Sequence, residues 1–219
     1  MFKLILLILG ILIAAVSESR LLISGLLISS LVFVLVTNRD NPNIFHLFFG
    51  FITVKLLELI IFENFIIYSS DTLSSMWINT IIISIHFVTD LFLYFFVRFR
   101  APLTRRILSA KNKSIDNVYM YQAEFGFMSL LVVFILVDLS AWLENFMRHL
   151  DELGFSAEIA EKFSHWTWVY YHYADIKGML AGLSFILLWS MLSSAGRQKY
   201  IPPRPHKKYG AVLLRREVN

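Results

Sequence analysis

The sequence contains no cysteine among its 219 residues. This absence excludes disulfide bonds, thiolate nucleophiles and metal sites built from thiolates. Several enzyme signatures are also missing: there is no His-Glu-x-x-His, no Gly-x-Ser-x-Gly, no phosphate-binding glycine loop and no carboxylate-rich lipid-transferase motif. We therefore expect a protein that is not an enzyme.

Charged residues are scarce, at 16% of the chain, whereas hydrophobic residues make up 57% and aromatic residues 16%. A soluble domain of this size has about 45–50% apolar residues. Apolar segments long enough to cross a bilayer separate the few charged stretches. The composition predicts one compact polytopic membrane domain, with no room for a second globular domain.

The basic residues cluster in four places. Fifteen of the twenty Lys and Arg residues are Lys3, Arg39, the basic residues of the stretch 98–113 and those of the tail after Gly196. Cytoplasmic loops of membrane proteins carry an excess of Lys and Arg, so both termini and residues 98–124 are predicted to be cytoplasmic. This bias accounts for the net charge of +4, and we expect no direct nucleic-acid partner.

The hydrophobic pattern predicts an all-α transmembrane bundle with about six spans. The predicted spans cover residues 2–16, 21–36, 44–68, 77–97 and 125–143, and the sixth ends near residue 192. Residues 1–195 would form the transmembrane domain and residues 196–219 a basic, Pro-containing cytoplasmic tail. The abundance of Phe, Ile and Leu over Ala and Gly favours a bacterial inner membrane.

The first two spans are short and are separated by Ser17-Glu18-Ser19-Arg20. One continuous helix would be about 50 Å long, whereas the hydrocarbon core is about 30 Å thick, so a tight hairpin is predicted. A shallow re-entrant hairpin is the alternative. Residues 1–17 also resemble a signal peptide, but we expect this segment to be retained as an anchor. A turn rich in Asn, Asp and Pro follows at residues 37–43.

The outer segment, residues 144–164, is mostly acidic. Within it Phe155, Ile159, Phe163 and Trp166 recur at helical spacing, which predicts a short amphipathic helix on the outer surface. This helix would either cap the bundle or line the mouth of a pore. The Trp and Tyr residues at positions 166–173 then form an aromatic belt at the outer interface.

Ionisable side chains fall inside several predicted spans, where they are costly and usually face a partner or a cavity. The predicted polar intramembrane network consists of Lys55, Glu58, His86, Asp90, Asp138, Asp175 and Lys177. Most of them lie roughly 16–22 Å from the cytoplasmic boundary, with Asp90 one turn further in. We predict that Lys177 pairs with Asp138 or Glu58. The network would be a salt-bridge cluster that fixes helix packing, a pathway for ions or protons, or, less plausibly, a catalytic site.

No cofactor or metal is predicted. His86 and Asp90 share a helix face at i, i+4, but such a pair is more often a structural hydrogen bond than a metal site. Haem needs two His residues at one depth. His46 lies near the inner surface and His172 near the outer surface, so neither matches His86 in depth.

Gly178 and Gly182 lie four residues apart in the last span. Small residues at this spacing let two helix backbones approach closely in lipid. The partner would be another span of the same chain or a second copy, and we expect a homo-oligomer.

The basic loop and the tail present two further candidate surfaces. The residues involved are Arg98, Arg100, Arg105, Arg106, Lys111, Lys113, Arg204, Lys207, Lys208, Val212, Leu213, Arg215 and Arg216. The basic groups would attract anionic lipid headgroups. Prolines at 202, 203 and 205 predict an extended arm, and the apolar segment 209–214 after it favours docking onto a cytosolic protein.

In size and layout the chain is similar to small multi-pass membrane subunits encoded beside a cytosolic partner, of the kind that bacterial antiphage systems such as Kiwa contain. No residue carries across, because the similarity covers only size and layout. The leading hypothesis is a non-enzymatic inner-membrane subunit that self-associates and anchors or signals to a cytosolic partner, in a defence system of this kind. The alternatives are a small channel or ion-coupled transporter and, more remotely, an intramembrane metal enzyme.

Overall fold

A computed structural model describes residues 20–62, 64, 73–193 and 197–200 of the chain. Within these ranges the protein is helical and contains no β-strand. The helices are α1 (Arg20–Thr37), α2 (Pro42–Ile61), α3 (Ser75–Ala110), α4 (Gln122–Arg148), α5 (Ala157–Phe163) and α6 (Trp168–Ser190). The predicted all-α class is confirmed for this part of the chain.

Three of these helices, α2, α3 and α4, are long and apolar enough to cross a membrane. The six predicted crossings are therefore not supported by the described residues. Helix α6 has 23 residues, but its first half carries Asp175 and Lys177 among Tyr and His residues and is less apolar. In α1 the apolar stretch is Ile28–Thr37, which is shorter than a candidate membrane span. The first predicted arm, residues 2–16, lies outside the described residues.

The helices pack side by side in a fixed order. Helix α4 packs against both α3 and α6, α3 also packs against α2, and α2 packs against α1. The buried centre is formed by large apolar side chains from these helices: Leu31, Val34, Ile44, Leu47, Phe48, Leu93, Val97, Phe127, Leu131, Leu188 and Met191. Each helix has its apolar side chains around most of its circumference, so apolar surface is left over after the core is filled.

That remaining surface is exposed and strongly apolar. It includes Phe33, Val36, Phe49, Leu57, Ile60, Val88, Phe92, Phe95, Leu136, Leu143, Met179 and Ile186, each at least 47% exposed. A soluble monomer rarely exposes so continuous an apolar area, whereas a lipid environment favours it. The exposed surface is thus compatible with the membrane class that the composition predicts.

The turn between α1 and α2 lies where the Asn- and Pro-rich segment predicts it. Asn41 is the N-cap of α2, and its side-chain oxygen accepts hydrogen bonds from the backbone N–H groups of Asn43 at 3.0 Å and Ile44 at 3.4 Å. Pro42 follows at the first helical position, where a missing N–H has no cost. This local chemistry reverses the chain, so that α1 and α2 lie against each other.

Helix α3 is much longer than predicted. The sequence places the end of this span near residue 97 and a loop after it, whereas the helix continues through Pro102 to Ala110. Its 36 residues measure about 54 Å, against about 30 Å for a hydrocarbon core, so its last turns extend beyond the membrane. The predicted basic loop is thereby reduced to residues 111–121.

The outer segment contains the predicted short helix, α5, which packs against α4. Its buried contact is Ala160, whereas Phe155, Ile159 and Trp166 are exposed. Phe163, the remaining residue of the predicted apolar stripe, is half-buried, so three of its four residues are exposed.

Candidate functional site

Lys177 of α6 lies between two carboxylates from two other helices. Its Nζ atom is 2.7 Å from Oδ2 of Asp90 in α3 and 2.7 Å from Oδ1 of Asp138 in α4. Tyr173, one turn before Lys177, donates its hydroxyl to the same Oδ1 of Asp138 at 2.8 Å. Asp138 is completely buried. The predicted pairing of Lys177 with Asp138 is present, and Asp90 is a second partner. We call Asp90, Lys177 and Asp138 the triad.

A second ionic group links α2 to α3. Glu58 accepts a hydrogen bond from Lys55 Nζ at 2.7 Å on one carboxylate oxygen and contacts Nδ1 of His86 at 2.7 Å with the other. Lys55 and Glu58 are three residues apart on one helix, as the sequence predicts for a same-face pair. Glu58 is buried, whereas Lys55 and His86 are partly exposed.

These two groups meet at an aromatic contact. The ring centroids of His86 and Tyr173 are 6.2 Å apart, and the ring of Phe62 lies 4.8 Å from that of His86. Because His86 and Asp90 are one turn apart on α3, this helix belongs to both groups. Four helices thus contribute to one polar cluster, which we call the charge layer: Lys55, Glu58, His86, Asp90, Asp138, Tyr173 and Lys177.

His86 and Asp90 do not form a ligand pair. Each contacts a different partner, since His86 contacts Glu58 and Asp90 contacts Lys177. The described part of the chain contains no group of three His, Asp or Glu side chains placed to hold a metal ion. The charge layer thus consists of ion pairs and hydrogen bonds that link four helices.

Asp175 is not part of the charge layer. It is exposed, and the described residues include no hydrogen-bond or ion-pair partner for it. Asp175 lies two positions before Lys177, which corresponds to a rotation of roughly 200° around the helix axis. The two side chains therefore leave α6 on different sides. The sequence places Asp175 in the network because it is an ionisable residue inside a predicted span, but position within a span does not determine which side of the helix a residue occupies.

A second buried ionic cluster lies at the end of the helices that carries the predicted basic loop. Arg100 of α3 makes a bidentate pair with Glu124 of α4, with both N···O distances 2.7 Å. The same guanidinium donates to Asn43 Oδ1 at 2.9 Å and to the backbone carbonyl of Tyr119 at 2.7 Å. Glu124 also accepts the backbone N–H of Tyr121 at 2.9 Å. This cluster joins α2, α3, α4 and the loop.

The burial of Arg100 corrects one prediction. Arg100 was expected to contact lipid headgroups or a partner, but it is 1% exposed and all its contacts are internal. The other basic residues of this region are exposed: Arg98, Arg105, Arg106, Lys111 and Lys113. Arg105 also holds the loop, since it donates to the carbonyl of Val118 at 2.7 Å and 3.0 Å.

The beginning of the tail folds back onto the loop. Residues 199 and 121 form an isolated antiparallel bridge, with the N–H of Gln122 donating to Gln198 at 2.8 Å and the N–H of Tyr200 donating to Met120 at 2.9 Å. The ring of Tyr200 stacks on Phe125 with centroids 4.6 Å apart. The predicted docking residues further along lie outside the described residues: Arg204, Lys207, Lys208, Val212, Leu213, Arg215 and Arg216.

Gly178 and Gly182 lie on an exposed side of α6. A Cβ atom built on either residue would have no described atom within 4 Å, apart from the helix's own backbone. Of the two partners considered for this pair, a packed helix of the same chain is therefore not present among the described residues.

Two carboxylates important to the fold were not identified from the sequence. Glu124 was assigned to the loop but is buried against Arg100. Glu144 was assigned to the outer loop but lies in α4, where it accepts the backbone N–H groups of Val169 and Tyr170 at 2.8 Å each. A carboxylate favours the positive end of a helix, here the start of α6. The signal available in the sequence was a single acidic residue at each end of the apolar run that forms α4.

The arrangement supports ion pairing between helices. Comparisons with family models, with curated proteins and with solved structures gave no match.

Proposed function

We propose that this chain is a non-enzymatic, multi-pass subunit of a bacterial inner membrane that self-associates and anchors or signals to a cytosolic partner. The similarity in size and layout to membrane subunits of antiphage systems makes a defence role the context of this proposal. The observation that carries it is the ordered surface at the end of the bundle where the basic residues cluster.

This surface, the cytoplasmic platform, consists of the last turns of α3, residues 111–121 and residues 197–200. It is held by the buried Arg100–Glu124 pair and by the bridge between residues 121 and 199. A surface that only attracts lipid headgroups needs basic charge but no fixed backbone. The platform has both basic side chains and a fixed backbone, and this combination favours a protein partner.

The proposed topology places this platform in the cytoplasm and includes α1 and α6 as further crossings. Helix α6 has 23 residues, or about 35 Å, and packs along α4, while α1 packs along α2. The buried ion pairs of the triad offset the cost of Lys177 on α6. With the first arm, residues 2–16, the count is six and both termini are cytoplasmic.

Self-association is proposed through the exposed side of α6 that carries Gly178 and Gly182. Its two glycines present backbone without covering side chains, which is the geometry that close helix contacts in lipid require.

A second candidate function, a small channel or ion-coupled transporter, is favoured by one observation. The charge layer contains three carboxylates but only two ammonium groups, so it suits a bound cation or proton. Against a preformed pore, two cavities of about 330 Å³ and 440 Å³ lie near the cytoplasmic end, and neither is lined by a residue of the charge layer.

The docking proposal is tested with variants of the tail. Val212→Asp adds a charge to the apolar segment 209–214, whereas Lys207→Gln with Lys208→Gln removes charge from the neighbouring basic part. Docking predicts that Val212→Asp releases a specific cytosolic protein that co-purifies with the wild type, at an unchanged membrane level of the subunit. If deletion of residues 201–219 alters neither activity nor co-purifying proteins, the docking proposal is wrong.

The platform offers a further variant at a described position. Tyr200→Ala removes the stack on Phe125 and should weaken partner retention, while Glu161→Ala, at an exposed position of α5 outside the platform, serves as the control. Equal retention by both variants would contradict a role for the ordered platform.

A further inference from the structure

Asp138 has one carboxylate oxygen that nothing stabilises. Its Oδ1 atom accepts from Lys177 and from Tyr173, but Oδ2 is buried without a hydrogen-bond partner among the described residues. A buried carboxylate oxygen without a donor is expensive while the group is ionised. The atom marks the point of the charge layer where the described contacts are incomplete.

The number of charges in the triad also indicates that a positive charge is missing at this point. The triad contains two carboxylates and one ammonium group, and so carries one excess negative charge when both carboxylates are ionised. The neighbouring group does not supply the missing positive charge. Lys55 Nζ and His86 Nδ1 each lie 2.7 Å from a carboxylate oxygen of Glu58, so the described contacts of both groups are with Glu58 and not with Asp138.

The other charged groups around Asp138 are also committed. From α3 it faces Asp90, with His86 one turn away, and from α6 it faces Lys177 and Tyr173. On α4 itself, Glu144 accepts two backbone N–H groups of α6. Helix α5 contributes Glu158 and Lys162, which are exposed and lie 3.5 Å apart. Among the described residues, Lys177 is thus the cation that contacts Asp138.

We propose that the triad is a binding site for one exchangeable proton, carried by Asp138 on Oδ2. A proton at this atom removes the excess charge and leaves Oδ1 as a carbonyl oxygen that still accepts from Lys177 and Tyr173. Asp90 stays ionised and paired with Lys177. Loss of the proton restores two carboxylates around one ammonium group, which favours separation of α3 from α4.

This inference deepens the second candidate function and rests on it for its physiological use, but protonation itself can be observed without any transport. The test is infrared spectroscopy of the full chain in lipid nanodiscs. A protonated carboxyl has a carbonyl stretch that is separate from carboxylate absorption. The wild type should show this band, and the band should shift in D₂O because the proton exchanges with solvent.

Variants identify the site and its charge balance. Asp138→Asn and Asp90→Asn should each abolish the band, since each leaves one carboxylate for one ammonium group. Lys177→Met should roughly double it, because two carboxylates are then unpaired. Asp175→Asn is the matched control, as this exposed aspartate on the same helix lies outside the triad, and it should leave the band unchanged.

The atom that carries the proton is tested with Tyr173→Phe. Loss of the tyrosine hydroxyl removes one hydrogen bond from the Asp138 carbonyl oxygen, so the band should move to higher wavenumber. An unmoved band would place the proton on Asp90 and overturn the assignment to Asp138.

Three further results would overturn the proposal. The first is a wild type without the band over the whole pH range in which it stays folded. The second is a band that persists in Asp138→Asn. The third is loss of the band at constant pH when Na⁺ replaces choline, which would show that the ligand is a metal cation competing for the carboxylates. Failure of the spectroscopic test contradicts the proton site, whereas a positive test without ion flux contradicts only transport.

Discussion

Gly50 of α2 lies against the ring of Phe96 of α3, so closely that a Cβ atom on Gly50 would overlap the ring carbons. The contact brings the backbone of α2 next to an aromatic side chain in the middle of the bundle. It depends on the absence of a side chain at residue 50.

Gly50→Ala should therefore destabilise the protein, by about 1–3 kcal/mol as for other overpacked positions. Gly126→Ala is the matched control, because a Cβ atom there would be 3.6 Å from Leu187, an ordinary contact distance. Thermal unfolding of the purified proteins in one detergent, followed by circular dichroism, compares the two. Similar melting temperatures for both variants would contradict the close approach of α2 and α3.

Lys177→Met should destabilise the bundle by about 3–5 kcal/mol, because it leaves Asp90 and Asp138 buried without a cation. Adding Asp138→Asn should restore part of the loss, and adding Asp90→Asn as well should restore more. The yield of monodisperse protein and its melting temperature measure the series. A double variant no more stable than Lys177→Met would show that the pairing with Asp138 contributes nothing.

A lysine at this position, in the variant Arg100→Lys, should not replace the function of the arginine. Arg100 donates through its fork to both oxygens of Glu124 and also to Asn43 and Tyr119, and a lysine ammonium cannot reproduce that planar geometry. We expect loss of folded protein, with Arg106→Lys, an exposed change, within about 0.5 kcal/mol of the wild type. Wild-type stability of Arg100→Lys would argue against the bidentate pair.

Glu144→Ala should loosen the start of α6. The backbone N–H groups of Val169 and Tyr170 would lose the carboxylate that accepts from them, at a cost of about 1–3 kcal/mol. Hydrogen exchange at residues 168–171 should become faster, while exchange in α2 stays the same. Unchanged protection at these amides would contradict the capping contact.

Orientation is tested by cysteine labelling, which suits a chain without native cysteine. Lys113→Cys is a better probe than a cysteine at residue 112, because Asn112 has a φ of 51°, which a cysteine would adopt only with strain. An impermeant reagent added outside intact cells should label Glu158→Cys in α5 and leave Lys113→Cys unlabelled. Labelling of Lys113→Cys from outside would reverse the proposed topology.

Several features were predictable from the sequence because they depend on local chemistry. Hydrophobic runs located α2 and α4, and Asn41-Pro42 located the turn before α2. Depth along the helices placed Lys177 level with Asp138. These predictions need only the rise per residue and the preferences of turn residues.

Other features depend on tertiary contacts that no local pattern encodes. Arg98 and Arg100 resemble the end of a span, yet α3 continues because Arg100 is buried against Glu124. Asp175 and Lys177 are at similar depth, yet only Lys177 faces the bundle, since rotation about a helix is fixed by its neighbours. The burial of Gly50 against Phe96 likewise depends on how α2 and α3 meet.

Helix α3 carries members of both buried ionic clusters, since Asp90 belongs to the triad and Arg100 belongs to the second cluster, where it pairs with Glu124. The nine residues between them include neither Pro nor Gly, and the two positions are about 15 Å apart along the helix. A continuous helix of this length behaves as a rigid rod, so a shift of α3 at Asp90 displaces Arg100, and with it the loop whose Tyr119 carbonyl Arg100 holds. A change of charge at the triad and the position of this loop are in this way mechanically coupled.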